Sequence, residues 1–141
     1  MITVGEVMST DLLTVEDTAS LADARRLMTE EHIRHLPVVN GLQEFVGLLT
    51  QRDVLASTLS SLAEVDREER DALESSIPVR ELMHTDLAVV EEDTSLREAA
   101  VYLLRHKIGC LPVVSSGSLV GIVTESDFLK LVIKLLDRFE T

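Results

Sequence analysis

Two short stretches of the chain carry residue types that chemistry needs. They are Gly47-Leu48-Leu49-Thr50-Gln51-Arg52-Asp53 and Gly121-Ile122-Val123-Thr124-Glu125-Ser126-Asp127. In each, an apolar run ends, a hydroxyl residue follows, and a carboxylate stands three positions on. That spacing has two readings. The Thr hydroxyl can accept from the Asp backbone N–H while Asp complements the helix dipole, which makes a capping box. The same geometry offers a helix N-terminus to a phosphate and a carboxylate to both hydroxyls of a ribose. On spacing alone both readings stand.

Other chemistries find less support. His32 and His35 are three apart, with His84 and His106 elsewhere, but the positions aligned with the first two are Lys107 and Cys110. No Cys/His/carboxylate set recurs at metal-ligand spacing, so no metal site is expected. Cys110, beside Leu111-Pro112, would be a nucleophile only with a base next to it, and is expected to be a buried structural thiol. There is no G-x-S-x-G, no Walker loop and no dinucleotide fingerprint, so no catalytic residue is expected.

The two stretches belong to a longer repeat. Val4, Glu6, Met8, Thr10, Asp11 and Leu12 recur 75 residues later as Val79, Glu81, Met83, Thr85, Asp86 and Leu87. Ser20, Leu21 and Ala24 recur as Ser95, Leu96 and Ala99, and Ile33, Leu36, Pro37, Val38 and Val39 as Ile108, Leu111, Pro112, Val113 and Val114. One residue is then lost in a turn, and Val46, Gly47, Thr50, Asp53 and Leu55 recur 74 residues later as Val120, Gly121, Thr124, Asp127 and Leu129. The chain reads as a tandem duplication: repeat 1 over 1–62, an acidic helical linker over 63–78, and repeat 2 over 79–141.

Each copy predicts the same elements. Thr3-Val4-Gly5-Glu6 has the capping-box pattern of a short lead-in helix. Leu12–Val15 and Leu87–Val90 predict short strands. Ser20 and Ser95 predict helix caps, followed by apolar residues at helical spacing. Leu36–Val39 and Leu111–Val114 are strands with Pro near the start, Asn40-Gly41 and Ser116-Gly117 are turns, and Phe45–Leu49 and Leu119–Val123 are the returning strands. Final helices begin near Thr50 and Thr124. The fold class is therefore α/β in the α+β sense, two βαββα repeats each with a short N-terminal segment. The helical crossover makes the first two strands parallel, and the short turn makes the last two antiparallel. One copy buries little alone, so the two are expected to pack sheet to sheet about a pseudo-twofold axis.

Composition bounds the partners. Lys plus Arg is 13 and Asp plus Glu is 25, a net charge of −12, which disfavours a nucleic-acid backbone. The aromatics are Phe45, Tyr102, Phe128 and Phe139, too few for a base-stacking platform. No apolar run approaches the roughly 18 residues that span a bilayer, and the first residues lack a signal-peptide pattern. A single cysteine fits a reducing compartment, and a cytoplasmic location is expected. The stretch Glu64–Glu74 holds six acids and two arginines and is expected to be a solvated helical excursion. The last helix carries Phe128, Leu129, Leu131, Val132, Ile133, Leu135, Leu136 and Phe139. That is more apolar surface than one stripe on its own sheet needs. Val54, Leu55, Leu59 and Leu62 form a narrower stripe in the first copy.

The order V-x-x-V/L-M-x-T-D, S-L-x-x-A, I-x-x-L-P-V-V and V-G-h-h-T-x-x-D-h-L, met twice, resembles the cystathionine-β-synthase (CBS) domain family. A pair of such repeats is called a Bateman module, and the match spans about residues 4–60 and 79–136. The resemblance implies two clefts between the repeats that bind AMP, ADP, ATP or S-adenosylmethionine, with no cofactor required. By position it implies Thr14, His35, Leu36, Pro37, Thr50 and Asp53 in one set, and Val89, Cys110, Leu111, Pro112, Thr124 and Asp127 in the other. In this pattern the Asp holds the ribose, and backbone near the first strand and the Pro receives the adenine. Arg34, Arg52 and Lys107 are candidate phosphate contacts. The resemblance further implies a regulatory, energy-sensing homodimer, paired through the repeat-final helices and acting on an effector protein. The alternative is a ligand-independent dimerisation scaffold whose Thr/Asp pairs are only helix caps.

Overall fold

The computed structural model describes residues 1–61 and 66–140. They form two compact units, one from residues 13–87 and one from residues 1–12 with 88–141. Each unit has a three-stranded sheet, and together they hold six α-helices among the described residues.

In the unit of residues 13–87, the strands are β1 (Val15–Glu16), β2 (His35–Val39) and β3 (Phe45–Thr50), in that spatial order. β1 pairs parallel with β2, Val15 opposite Val38, and β2 pairs antiparallel with β3, from His35 opposite Thr50 to Val39 opposite Phe45. The crossover helix α2 (Leu21–Glu31) starts where Ser20 accepts a hydrogen bond from the Asp23 N–H, and ends at His32 in a left-handed conformation. Helix α3 (Gln51–Ser61) leaves β3 directly. The core gathers Val15, Leu21, Ala24, Met28, Leu36, Val38, Leu49 and Val54.

The other unit repeats this plan. β4 (Val90–Glu91) is parallel to β5 (Cys110–Ser115), which is antiparallel to β6 (Ser118–Thr124). Helix α5 (Leu96–His106) is capped by Ser95 and ends at a left-handed Lys107, and helix α6 (Glu125–Phe139) follows β6. The β5–β6 hairpin turns through Ser116 and Gly117, both at positive φ, as a two-residue turn of this hand requires.

The first strand of each copy is shorter and later than the apolar run predicts. Extending the register puts Thr14 opposite Pro37 and Val89 opposite Pro112. Proline has no N–H to give the ladder, and the pairing begins one residue on, at Val15 and Val90.

The compact units do not coincide with the sequence repeats. The lead-in of repeat 1, with helix α1 (Val4–Val7), packs in the unit that holds β4–β6. Val4 is fully buried there, its N–H bonds to Thr94 O, and Ser9 bridges to Ile122. The lead-in of repeat 2 lies in the unit of β1–β3. Val79 is fully buried, its N–H bonds to Ala19 O, and His84 bridges to Leu48. Repeat alignment cannot register this exchange, because it compares residue types and not the sheet on which a segment lies. The repeated Val-Gly serves the contact. A Cβ on Gly47 would sit 3.0 Å from His84 O and closer to the Met83 side chain, and one on Gly121 would collide with Met8.

The acidic linker is helical where it is described, as α4 (Arg67–Ser76), N-capped by Asp66. It departs from a solvated excursion at Glu74, which is 1% exposed and 2.9 Å from Arg25 on α2. Glu64, Leu62 and the Leu59 side chain lie outside the described residues.

Candidate functional site

The antiparallel pairing builds one turn in each unit. In the unit of residues 13–87, His35 at the start of β2 is the ladder partner of Thr50 at the end of β3, and the Gln51 N–H donates to Arg34 O at 2.8 Å. Arg34, His35, Thr50 and Asp53 are thereby brought to one end of the sheet. In the unit of β4–β6, Cys110 partners Thr124 and the Glu125 N–H donates to Gly109 O at 3.2 Å. Cys110, Thr124 and Asp127 share the corresponding end.

The Thr/Asp pairs form caps, and more fully than spacing implied. The Asp53 N–H donates to Thr50 Oγ1 at 3.2 Å. In return Asp53 Oδ2 accepts from the Thr50 N–H at 2.9 Å and from its hydroxyl at 2.7 Å. Asp127 Oδ2 accepts from the Thr124 N–H at 2.9 Å and its hydroxyl at 3.4 Å. The other oxygen of each carboxylate is also engaged. Asp53 Oδ1 is 2.9 Å from His84 Nε2, and Asp127 Oδ1 accepts from the Ser9 hydroxyl at 2.9 Å. A carboxylate offers about four lone-pair sites, so each keeps capacity on Oδ1.

Ser9 and His84 are site residues that sequence reasoning missed. They align with each other, each at the variable position of the repeated M-x-T-D. A search for recurring identities passes over a position whose place recurs while its residue type does not.

The remaining candidates divide by burial. The side chains of Leu36 and Leu111 are fully buried in the two cores, and Pro37 and Pro112 are buried as well. Only backbone at these positions could meet a ligand. Thr14 and Val89 are exposed beside the prolines, and Arg34, Arg52 and Lys107 are exposed. Val89 and Leu111 line a cavity of about 130 Å³, to which Tyr102 and Glu98 of α5 also contribute. Tyr102 stacks on His106 with ring centroids 4.1 Å apart. Burial pushes the Cys110 thiol up to about 12, which keeps it protonated at neutral pH and unfit as a nucleophile. Among the described residues, no cluster of three His, Cys, Asp or Glu could hold a metal ion, and no helix is long and apolar enough to cross a membrane.

Comparison with known proteins adds to this geometry. The CBS domain profile matches residues 4–59 and 79–134. A CBS domain-containing protein of Dictyostelium discoideum is 31% identical over 135 residues, covering 95% of this chain and 93% of that protein. The crystal structure of a Vibrio cholerae protein assigned to acetoin utilization (AcuB) superposes with a TM-score of 0.83 at 41% identity, covering 99% of this chain and 96% of the other. That of CBSX2 in complex with AMP superposes at 0.80 with 30% identity, covering 96% and 98%. Several curated relatives are longer: the chain spans 42%, 21% and 32% of the first three it matches.

Proposed function

The chain belongs to the CBS domain family, in two tandem copies, and on that footing we propose that it is a regulatory module binding an adenosine-containing ligand at its Thr–Asp turns. The ligand is AMP, ADP, ATP or S-adenosylmethionine, and the module acts on an effector protein rather than performing catalysis. The observation that carries the reading is the pair of motif carboxylates. Each is held rigidly by its own Thr on Oδ2 and keeps capacity on Oδ1. A pre-oriented acceptor at a helix N-terminus suits a ribose hydroxyl with a phosphate nearby. The AMP bound by CBSX2, 30% identical over nearly the whole chain, supports the ligand class.

In this reading Asp53 and Asp127 accept from the ribose, and Thr50 and Thr124 fix them. Backbone at Thr14, His35, Leu36 and Pro37, and at Val89, Cys110, Leu111 and Pro112, faces the base. Arg34 and Arg52 meet phosphate in the first site and Lys107 in the second, and the protein works in the cytoplasm as a sensor of nucleotide levels. Helix α6 pairs two copies, since Leu129, Val132, Ile133, Leu136 and Phe139 are 47–83% exposed on it. Spaced 3, 1, 3 and 3, they form one stripe, set apart from Phe128 and Leu131, which pack on the core.

The scaffold reading keeps a specific observation on its side: the backbone bonds between each Thr and its Asp are those of a helix cap. A thermal-shift panel with AMP, ADP, ATP and S-adenosylmethionine separates the two. Ligand at about 100 times its dissociation constant stabilises by about 2.7 kcal/mol, whereas a scaffold shows no shift with any of the four.

A further inference from the structure

We propose that the position occupied by Ser9 and His84 makes the two motif carboxylates unequal, His84 rendering ribose binding at Asp53 sensitive to pH where Ser9 leaves binding at Asp127 insensitive. The inference rests on the reading that these carboxylates hold a ribose. It begins from one asymmetry. Oδ2 is committed to Thr in both units, so an arriving hydroxyl must use Oδ1. That oxygen is shared with a neutral hydroxyl in one unit and with an imidazole in the other, each at 2.9 Å.

Histidine is the side chain that changes charge between about pH 5 and 8. A neutral imidazole donating to Asp53 is an ordinary partner, displaced or shared at modest cost. A protonated one forms a charge-assisted bond, roughly twice as strong, and also draws off negative charge that the ribose hydroxyls need. Adenosine affinity at Asp53 should therefore fall as pH falls. The His84 side chain is 56% exposed, so protons reach it freely. Between Phe45 and Thr50, β3 has no ionisable side chain. The other charged or titratable groups at this end are Arg34 and His35, which the β2–β3 ladder brings beside Thr50 and Gln51, Arg52 next to Asp53 on α3, and Asp86 two residues on in the segment of His84.

The phosphate of a nucleotide would complicate the sign, because a cationic His84 attracts it. Adenosine has no phosphate and reads the ribose contact alone. The experiment titrates adenosine by calorimetry into Asp127→Ala, which retains the Asp53 site, and into Asp53→Ala, which retains the other, at about pH 8 and about pH 5.5. The expected result is a loss of about fivefold in affinity at the Asp53 site on acidification and no comparable change at the Asp127 site. His84→Gln, which keeps a donor without the charge, should flatten the profile at Asp53. Ser9→His should create a profile at Asp127, and it keeps the test open if His84 variants fold poorly. Equal profiles at the two sites, or a profile that survives His84→Gln, would overturn the inference and leave the ligand reading intact. Failure of the wild type to bind adenosine or AMP at either pH would overturn both.

Discussion

The hydroxyl of Ser9 donates to Asp127 Oδ1 at 2.9 Å across 118 residues of sequence. The bond ties the lead-in of repeat 1 to the N-terminus of α6, and Asp127 is 6% exposed. Ser9→Ala removes one donor from a buried carboxylate and should cost about 1–2 kcal/mol. Urea unfolding should show a lower midpoint with an unchanged slope. Deleting residues 1–9 also removes the fully buried Val4 and should cost about 2 kcal/mol more, by the transfer of a Val-sized side chain.

Glu74 and Arg25 tie the linker helix α4 to α2 at 2.9 Å, with Glu74 1% and Arg25 28% exposed. Glu74→Ala removes the carboxylate that faces the Arg25 guanidinium, and should destabilise by about 2 kcal/mol, less than a fully buried pair because Arg25 reaches solvent. Glu74→Gln should recover part of this. The check is the difference between the two variants in denaturant midpoint. Equal loss of stability in the two variants would mean that the charge alone, and not the shape and hydrogen bonding that Gln retains, holds α4 in place.

How much of this was legible in the sequence depends on what each residue does. The strand and helix order followed from apolar spacing and from Ser20 and Ser95, whose capping is a local matter of three residues. The antiparallel pairing of β2 with β3 followed from the short turn between them, whereas the register that sets His35 opposite Thr50 did not. The exchange of lead-ins did not follow, because Val4 and Val79 are equally apolar and either sheet could cover them. Nor did the further contacts of each carboxylate. Spacing predicted the capping box of Thr50 and Asp53, but not the added bond from the Thr50 hydroxyl to Asp53, nor the contact of Asp53 with His84. That last contact is long-range and its residue type is not repeated. Glu74 was read with the other acids because composition does not distinguish an inward face from an outward one.

The stripe on α6 predicts self-association. Leu136 is 47% and Phe139 83% exposed, so Leu136→Ser with Phe139→Ser should leave folding nearly untouched. In sedimentation, the wild type should be dimeric at micromolar concentration and the double variant should move toward a 15.6 kDa species. A wild type that sediments only at that mass would refute the assignment of α6 as the pairing surface.

Cys110 should be inert to thiol reagents in the folded protein at neutral pH. Its thiol is raised from 9.0 to about 12 by burial. The unfolded chain therefore loses its proton first, and stability is full below about pH 9 and declines as pH rises toward about 12. Cys110→Ala should remove that part of the alkaline decline, at the cost of a small cavity in β5. Rapid labelling of native protein would contradict the burial of this thiol.

Calorimetric titration of AMP into the wild type and into the Asp53→Ala/Asp127→Ala double variant decides whether the motif carboxylates hold a ribose. The double variant keeps the Thr hydroxyls as caps but loses the carboxylate half of each capping box along with the ribose acceptor, so its melting curve is recorded alongside to show that it remains folded. The wild type should give saturable heat, and affinity should be weaker by about 1.5–3 kcal/mol, tenfold or more, at each altered site. Undiminished binding by a folded double variant would contradict ribose binding by these carboxylates, as would a folded wild type that takes up no AMP and is not stabilised by ADP, ATP or S-adenosylmethionine.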